Sequence, residues 1–190
     1  METSGLKKIL RKNFSAARSA LSAGDRKLYD QEIMVRILAL PDFQQSEIVG
    51  SFVAFGAEPD LARLPVRRLF LPRFDEKFKV YRMVEVRDPA TELVVGRYGI
   101  PEPAGYLPEA TESELREMFF LVPAVACDRN GIRLGRGGGF YDRLLAQSAK
   151  SAAVIYSCQL SESPLPKEPF DRPVRWVISE RETISNEHCR

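Results

Sequence analysis

Four glycines fill five positions at Gly135-Arg136-Gly137-Gly138-Gly139, between an apolar segment and the start of a helical pattern. Glycine loses more conformational freedom on ordering than any other residue, and a plain turn needs no run of three. The chain must therefore pass from strand to helix through a bend that glycine enters easily and other residues do not. The amides of such a bend can point into one concavity, and a helix N-terminus adds unpaired N–H groups and a positive dipole end. Arg133, Arg136 and Arg143 place charge around it. In physical terms this is a phosphate cradle. It is not a Walker A loop, because no Gly-Lys-Ser/Thr follows, and it is not a Rossmann fingerprint. The same residues also describe a glycine-rich turn with surface arginines. Asp142, one helical turn on, either holds Mg²⁺ against phosphates or caps the helix and pairs with Arg143.

The elements on either side read as a layered α/β domain. Behind Ser4, the residues Leu6, Ile9, Leu10, Phe14 and Ala17 make an apolar helical stripe, while Lys7, Arg11 and Arg18 share a different face. Ser22 with Asp25 resembles a capping box and starts a second helix, buried through Tyr29, Ile33, Ile37 and Leu40, with Pro41 just past its end. Strands are predicted over 48–55, 69–71 (stopped by Pro72), 80–86, 118–122, 152–156 and 174–178. A helix beginning at 61–68 is limited by Pro65, and the stretch 99–114 reads as an ordered surface loop. Leu144, Leu145 and Ala149 continue a helix after the glycines.

With 190 residues, the chain is expected to form one domain over 1–190. A net charge of +2 excludes a bulk polycation, so any anion site must come from local clustering. The basic residues Arg67, Arg68, Arg73, Arg82 and Arg87 are not interleaved with aromatics as in a nucleic-acid binder, so no nucleic-acid partner is expected. No apolar run approaches a membrane span, and the basic start lacks a cleavage signal, so a cytoplasmic, membrane-free protein is expected, as a monomer or weak homodimer. Cys127, Cys158 and Cys189 are widely spaced and odd in number, against a disulfide framework. The single histidine, His188, removes triad chemistry and most zinc sites. The chemistry falls to carboxylates, Lys, Arg, Tyr, backbone amides or a bound ion.

The segment from Leu121 to Leu145 containing Gly131-Ile132-Arg133-Leu134-Gly135-Arg136-Gly137-Gly138-Gly139-Phe140-Tyr141-Asp142-Arg143 resembles the signature of the 5-formyltetrahydrofolate cyclo-ligase (methenyltetrahydrofolate synthetase) family. Lys7-Lys8-Ile9-Leu10-Arg11 looks like that family's N-terminal Lys-x-x-Leu-Arg, and Gly99-Ile100-Pro101-Glu102-Pro103 is similar to its central Gly-Ile-Pro-Glu-Pro. Glu58 stands after the first strand, where the family has a substrate-contacting glutamate. The resemblance implies a three-layer Rossmann-like fold with one mixed sheet. It implies ATP- and Mg²⁺-dependent cyclisation of 5-formyltetrahydrofolate to 5,10-methenyltetrahydrofolate, with release of ADP and phosphate. The formyl oxygen attacks the γ-phosphate, N10 closes the ring and phosphate leaves. On that reading Lys7, Lys8, Arg11, Arg133, Leu134, Gly135, Arg136, Gly137, Gly138, Gly139, Phe140 and Tyr141 meet the nucleotide, and Arg136 and Tyr141 act on the reacting centre. Asp142 binds the metal. Glu58 accepts hydrogen bonds from the pterin ring, with Val53, Phe55 and Tyr98 as walls of a flat-ring pocket. Without the resemblance, Lys7 and Arg11 read as a solvated helix face, Glu58 as a turn residue before Pro59, and the aromatics as core.

The chain departs from the pattern in places. Phe170 replaces a usual histidine, and Arg175 stands where the family has an aspartate near the metal. The expectation is weaker Mg²⁺ binding, a guanidinium at position 175 reaching phosphate, and Asp171 as the compensating group. The stretch from Glu58 to Pro72 is shorter than the pattern, and Phe140, Cys127 and Ala124 replace more usual residues. These departures keep open a paralogue with another substrate, or a non-catalytic folate- or nucleotide-binding protein.

Overall fold

Residues 118–122 alternate between two apolar environments, and that alternation sets the architecture. The structure, a computed structural model, describes residues 3–186. His188 and Cys189 lie outside the described residues. The helices are α1 (Thr3–Ser19), α2 (Ala23–Leu38), α3 (Pro41–Gln44), α4 (Pro89–Glu92), α5 (Glu112–Glu117) and α6 (Phe140–Leu145). The strands are β1 (Ile48–Gly50), β2 (Arg68–Asp75), β3 (Val80–Val86), β4 (Leu93–Val95), β5 (Pro101–Pro103), β6 (Phe119–Pro123), β7 (Ala126–Asp128), β8 (Arg133–Leu134), β9 (Ser151–Val154), β10 (Leu160–Ser161), β11 (Trp176–Ile178) and β12 (Thr183–Ser185).

Phe119 and Leu121 of β6 pack with Ile33 and Ile37 of α2 and Phe43 of α3 on one face of the main sheet. Phe120 and Val122 pack on the other face with Leu144 and Leu145 of α6. A strand buried on both faces must lie inside a sheet, with each large side chain contributing about 1.5–3 kcal/mol relative to exposure. β6 is indeed the middle of seven strands, in the order β12-β11-β9-β6-β1-β2-β3. The inner pairs are parallel, and β3 and β12 are antiparallel edges, giving a mixed sheet between helices. Two small sheets flank it, β10-β7-β8 and β4-β5. The three-layer expectation holds. Among the described residues no helix is long and apolar enough to cross a membrane.

Several boundaries differ from the sequence reading. β1 stops at Gly50 instead of running to Phe55, because the chain leaves the sheet there. β2 continues through Pro72, which lies beyond Phe70, the last residue paired with β1, so its missing N–H costs no bond on that side. No helix forms over 61–68. The stretch 99–114 contains β5 and the start of α5, whose capping box joins Thr111 and Glu114. α6 ends at Leu145, short of Ala149, since Ser148 Oγ turns back to donate to Met118 O at 3.0 Å ahead of β9. Ser22 caps α2 as expected, accepting from Asp25 N at 3.0 Å.

In α1 the buried line is not the apolar stripe. Ile9 and Ala17 are exposed, whereas Lys7 and Arg18 are buried beside Leu10 and Phe14. The reason is the partner: Leu10 and Phe14 cover a small cluster of Ala126, Ile132, Leu134 and Leu165, and flanking it are carboxylates that need cations.

Gly131 turns the chain between β7 and β8 with φ = 77°, and a Cβ there would press on the Val174 carbonyl. Gly131→Ala should lower the unfolding free energy by about 1–3 kcal/mol, through αL strain and the clash. Gly105→Ala, with nothing within 4 Å of the added carbon, should stay within about 0.5 kcal/mol. Urea midpoints of the two variants check this, and equal midpoints would refute it.

Candidate functional site

After β1 the chain turns toward β2, and after β6 it turns the other way toward β9. The loops leaving the carboxyl ends of these two neighbouring strands diverge and open a crevice, the usual ligand position in an open α/β sheet. Here the crevice is a cleft of about 830 Å³, lined by Phe52, Val53, Phe55 and Glu58 after β1, residues 123–125 after β6 and the glycine loop. Buried Gln159 holds the second wall in place, donating from Nε2 to Ala124 O at 2.8 Å and Val125 O at 3.0 Å.

The loop uses its glycines unequally. Gly137 (φ 99°) and Gly139 (φ 62°) are left-handed, which L side chains rarely adopt; Gly139 caps α6. Because α6 has only six residues, its dipole adds little, and anion affinity falls to loop amides and fixed charge. Arg11 donates from Nε to Gly135 O at 2.8 Å and ties α1 to the loop. Buried Arg133, at the loop's entrance, donates from Nη2 to Asp142 Oδ1 at 2.7 Å, and Arg172 N donates to the same oxygen at 3.2 Å. Asp142 therefore pairs with Arg133 instead of Arg143. Burial pulls the Arg133 guanidinium below its ordinary value, against the attraction of Asp142.

Lys7 reaches Glu168 Oε2 at 2.6 Å and Asp171 Oδ2 at 2.7 Å. Burial alone would lower its pKa, but the two carboxylates together outweigh it and raise the net value. The solvated-face reading of Lys7 is thus overturned. Lys8, one residue on and about 100° round the helix, is exposed and does not line the cleft.

Glu58, with its side chain only 7 % exposed, projects into the cleft. Its Oε2 accepts from Phe55 N at 3.1 Å, and its Oε1 accepts from Arg136 Nη2 at 2.7 Å. The Arg136 guanidinium lies over the Phe55 ring, 4.8 Å from its centroid. A run of rings follows: Phe74–Tyr81 at 5.0 Å, Tyr81–Phe140 at 4.9 Å and Phe140–Tyr141 at 4.7 Å between centroids. Burial pushes the Tyr141 hydroxyl above its ordinary value, so at neutral pH it is a hydrogen-bond donor and not a base.

Every predicted site residue except Lys8 and Tyr98 lines this one cleft. The side chain of Tyr98 lies outside the described residues. Arg175 is not in the cleft: its Nε lies 2.7 Å from Asp42 Oδ2, so it does not take up phosphate. Asp171 does line the cleft, held by Lys7. Sequence reasoning missed Phe74, Tyr81 and Glu168, which come from a hairpin and a coil with no distinguishing pattern. It placed Arg18 on the Lys7 face of the first helix by their spacing of 11 but gave it no role in the site.

Among the described residues no group of three or more His, Cys, Asp or Glu is arranged to hold a metal. The donor set fits a magnesium ion bound mainly through ligand phosphates with Asp142 as one carboxylate, and does not fit an all-protein cage.

A model of the 5-formyltetrahydrofolate cyclo-ligase family matches residues 3–180. An Escherichia coli (strain K12) 5-formyltetrahydrofolate cyclo-ligase is 31% identical over 173 residues, covering 85% of this chain and 93% of the relative. A Mycolicibacterium smegmatis 5-formyltetrahydrofolate cyclo-ligase is 41% identical over 95 residues, 48% of each chain. Among solved structures, Aquifex aeolicus 5,10-methenyltetrahydrofolate synthetase superposes with a TM-score of 0.83 at 31% identity, covering 97% of this chain and 95% of that one.

Lys7→Met leaves Glu168 and Asp171 unpaired and should cost about 1–3 kcal/mol at neutral pH, discounted for the partial exposure of both carboxylates. Because the Lys7 pKa is raised on folding, its contribution is complete below the ordinary lysine value of 10.5 and fades only as pH climbs through the higher folded value. Denaturation of both proteins from neutral to alkaline pH checks this. A gap that closes well below 10.5 would contradict it.

Proposed function

The chain belongs to the 5-formyltetrahydrofolate cyclo-ligase family, and we propose that this cleft converts 5-formyltetrahydrofolate and ATP to 5,10-methenyltetrahydrofolate, ADP and phosphate with Mg²⁺. The observation that carries the reading is one cleft with two chemistries. A left-handed glycine loop carries fixed cations, and it adjoins a ring-walled slot containing a buried carboxylate.

Phosphoryl transfer asks a protein for position and charge, not for a nucleophile. Lys7, Arg11, Arg133 and the amides of 135–139 hold the polyphosphate. Their present partners, Glu168, Asp171, Gly135 O and Asp142, keep them oriented before a ligand arrives. Asp142 would hold a magnesium ion, which would supply neutralisation of charge on the phosphates. Phe55 and the Tyr81–Phe140–Tyr141 rings enclose the flat ring system, and Glu58 accepts its adjacent N–H donors. Protonated Tyr141 donates a hydrogen bond toward the formyl oxygen. Arg136, half-exposed and on the glycine loop, faces the charge that develops as the γ-phosphoryl group moves from ADP to that oxygen. Closure of the ring by N10 then expels phosphate.

Incubating the protein with 5-formyltetrahydrofolate and magnesium ATP should produce the methenyl absorbance, and omitting either ligand should abolish it. Intact nucleotide binding without product would instead indicate a paralogue with another substrate. Arg136→Ala should lower kcat by about 10²-fold, as for other groups that act on developing charge, without raising KM for the folate. A matched rise in KM for ATP with unchanged kcat would reduce Arg136 to a ground-state contact.

A further inference from the structure

Behind Glu58, on the side away from solvent, lies a second arginine with no hydrogen-bonding role yet described. Arg18 of α1 has a side chain 8 % exposed, and its Nη1 lies 3.7 Å from Glu58 Oε1, an ion-pair distance but not a hydrogen bond. Its Nε and Nη1 are both buried without an acceptor. Among the described residues Glu58 is the carboxylate within ion-pair reach of it. The neighbouring Tyr156 hydroxyl is committed to Asp30 Oδ1 at 2.7 Å. Two unsatisfied donors on a buried guanidinium are costly, so their persistence beside a carboxylate calls for a reason.

The two arginines on Glu58 differ in kind. Arg136 is 53 % exposed, sits on the glycine loop, and presents a planar N–H fork to Oε1 while lying over Phe55. A pterin ring offers the same features: a flat π surface and adjacent N–H donors. In the free protein, then, the Arg136 guanidinium occupies the place the proposed substrate ring takes. The ring must displace it, and the displaced charge is released toward the loop it belongs to. Glu58 then exchanges a cation for neutral donors while remaining buried. A buried carboxylate without a counter-charge is strongly disfavoured.

We propose that Arg18 is a positioning residue for the folate: it is the permanent counter-ion that keeps Glu58 charged and aimed into the cleft once the substrate ring has displaced Arg136. The orphaned Nη1–H closes onto Oε1 when that oxygen loses the Arg136 fork. This rests on the ring-binding reading of Glu58 given above, and adds the residue that lets the carboxylate serve.

The test is calorimetric titration of the full chain with 5-formyltetrahydrofolate and, separately, with magnesium ATP. Arg18→Met should weaken folate binding by about tenfold or more, the scale of one lost charge-assisted interaction, and leave nucleotide affinity unchanged. Its melting temperature should stay near that of the parent, because Arg136 still neutralises Glu58 in the free protein. Arg18→Lys should recover most of the folate affinity. In a Glu58→Gln background, Arg18→Met should have no further effect on folate binding, since there is no charge left to support. Unchanged folate affinity in Arg18→Met overturns the proposal, as does an equal loss in the Glu58→Gln background, which would mark Arg18 as merely structural. Should Arg18→Met not fold, Arg18→Lys carries the same comparison, its smaller loss confined to the Glu58 background. A parent protein that binds the folate but makes no methenyl product overturns the catalytic reading and not this one. A parent that fails to bind the folate overturns both.

Discussion

The burial of β6 on both faces is the constraint from which the site descends. Phe119 and Leu121 demand a helical layer on one side, and Phe120 and Val122 demand one on the other. Strands must therefore be added on both flanks of β6, and the chain must reverse its direction of growth beside it. β1, β2 and β3 build outward one way, and β9, β11 and β12 the other. The crevice is a by-product of that reversal, open before any residue in it is chosen. Gly50 at the end of β1 belongs to the same constraint: a Cβ there would lie 2.6 Å from Met118 Sδ and 2.8 Å from Phe120 Cδ1, so β1 approaches β6 closely only as glycine. The family seen in the comparisons is consistent with this geometry, but the geometry explains why the functional loops meet.

Within the crevice, charge is nearly balanced before any ligand enters. Lys7 is held by Glu168 and Asp171, Arg133 by Asp142, and Arg136 by Glu58. Such pairing limits the cost of keeping lysine and arginine in a low-dielectric cleft, and it fixes long side chains that would otherwise have to be ordered on binding. It also means that at Lys7, Arg133 and Arg136 an incoming anion exchanges partners with carboxylates, whereas Arg11, whose Nε is held by the Gly135 carbonyl, offers its charge directly. Selectivity follows from that exchange: a weakly charged or poorly shaped anion gains too little to displace a carboxylate already in place.

Much of this was legible in the sequence, for reasons specific to each part. The second helix was clear because Ile33, Ile37 and Leu40 keep the helical period beneath a Ser22 cap. The glycine loop was clear because backbone conformation, the property that matters there, is written directly in residue type at Gly137 and Gly139. The first helix misled because its period reports faces, not which face is buried. Apolar Ile9 is exposed and cationic Lys7 and Arg18 are inside, a choice made by carboxylates at positions 58, 168 and 171 that no local pattern can show. The aromatic wall was illegible for the same reason: Tyr81 meets Phe140 across 59 residues of chain, at 4.9 Å. Asp142 was narrowed to two alternatives, neither of which named Arg133, its partner in the structure.

The C-terminal coil shows how departures from a family pattern are absorbed by geometry. Arg175, standing where a carboxylate was expected, turns away to Asp42, which also accepts from Trp176 Nε1 at 2.9 Å, so the guanidinium reinforces the packing of α3 on β11. Its charge leaves the cleft instead of changing it. The coil before it is held independently: Asp128 Oδ2 accepts from Leu165 N at 2.8 Å, and Asp142 Oδ1 from Arg172 N at 3.2 Å. Between these two anchors, Glu168 and Asp171 are presented to Lys7 whatever stands at position 175, and Phe170 is left exposed. On the proposed reading, a phosphate that takes the Lys7 ammonium leaves those two carboxylates facing an anion. On the same reading a divalent cation carried by the phosphates would relieve that repulsion, so the proposed need for a metal would arise from partner exchange in the cleft as well as from the chemistry of transfer.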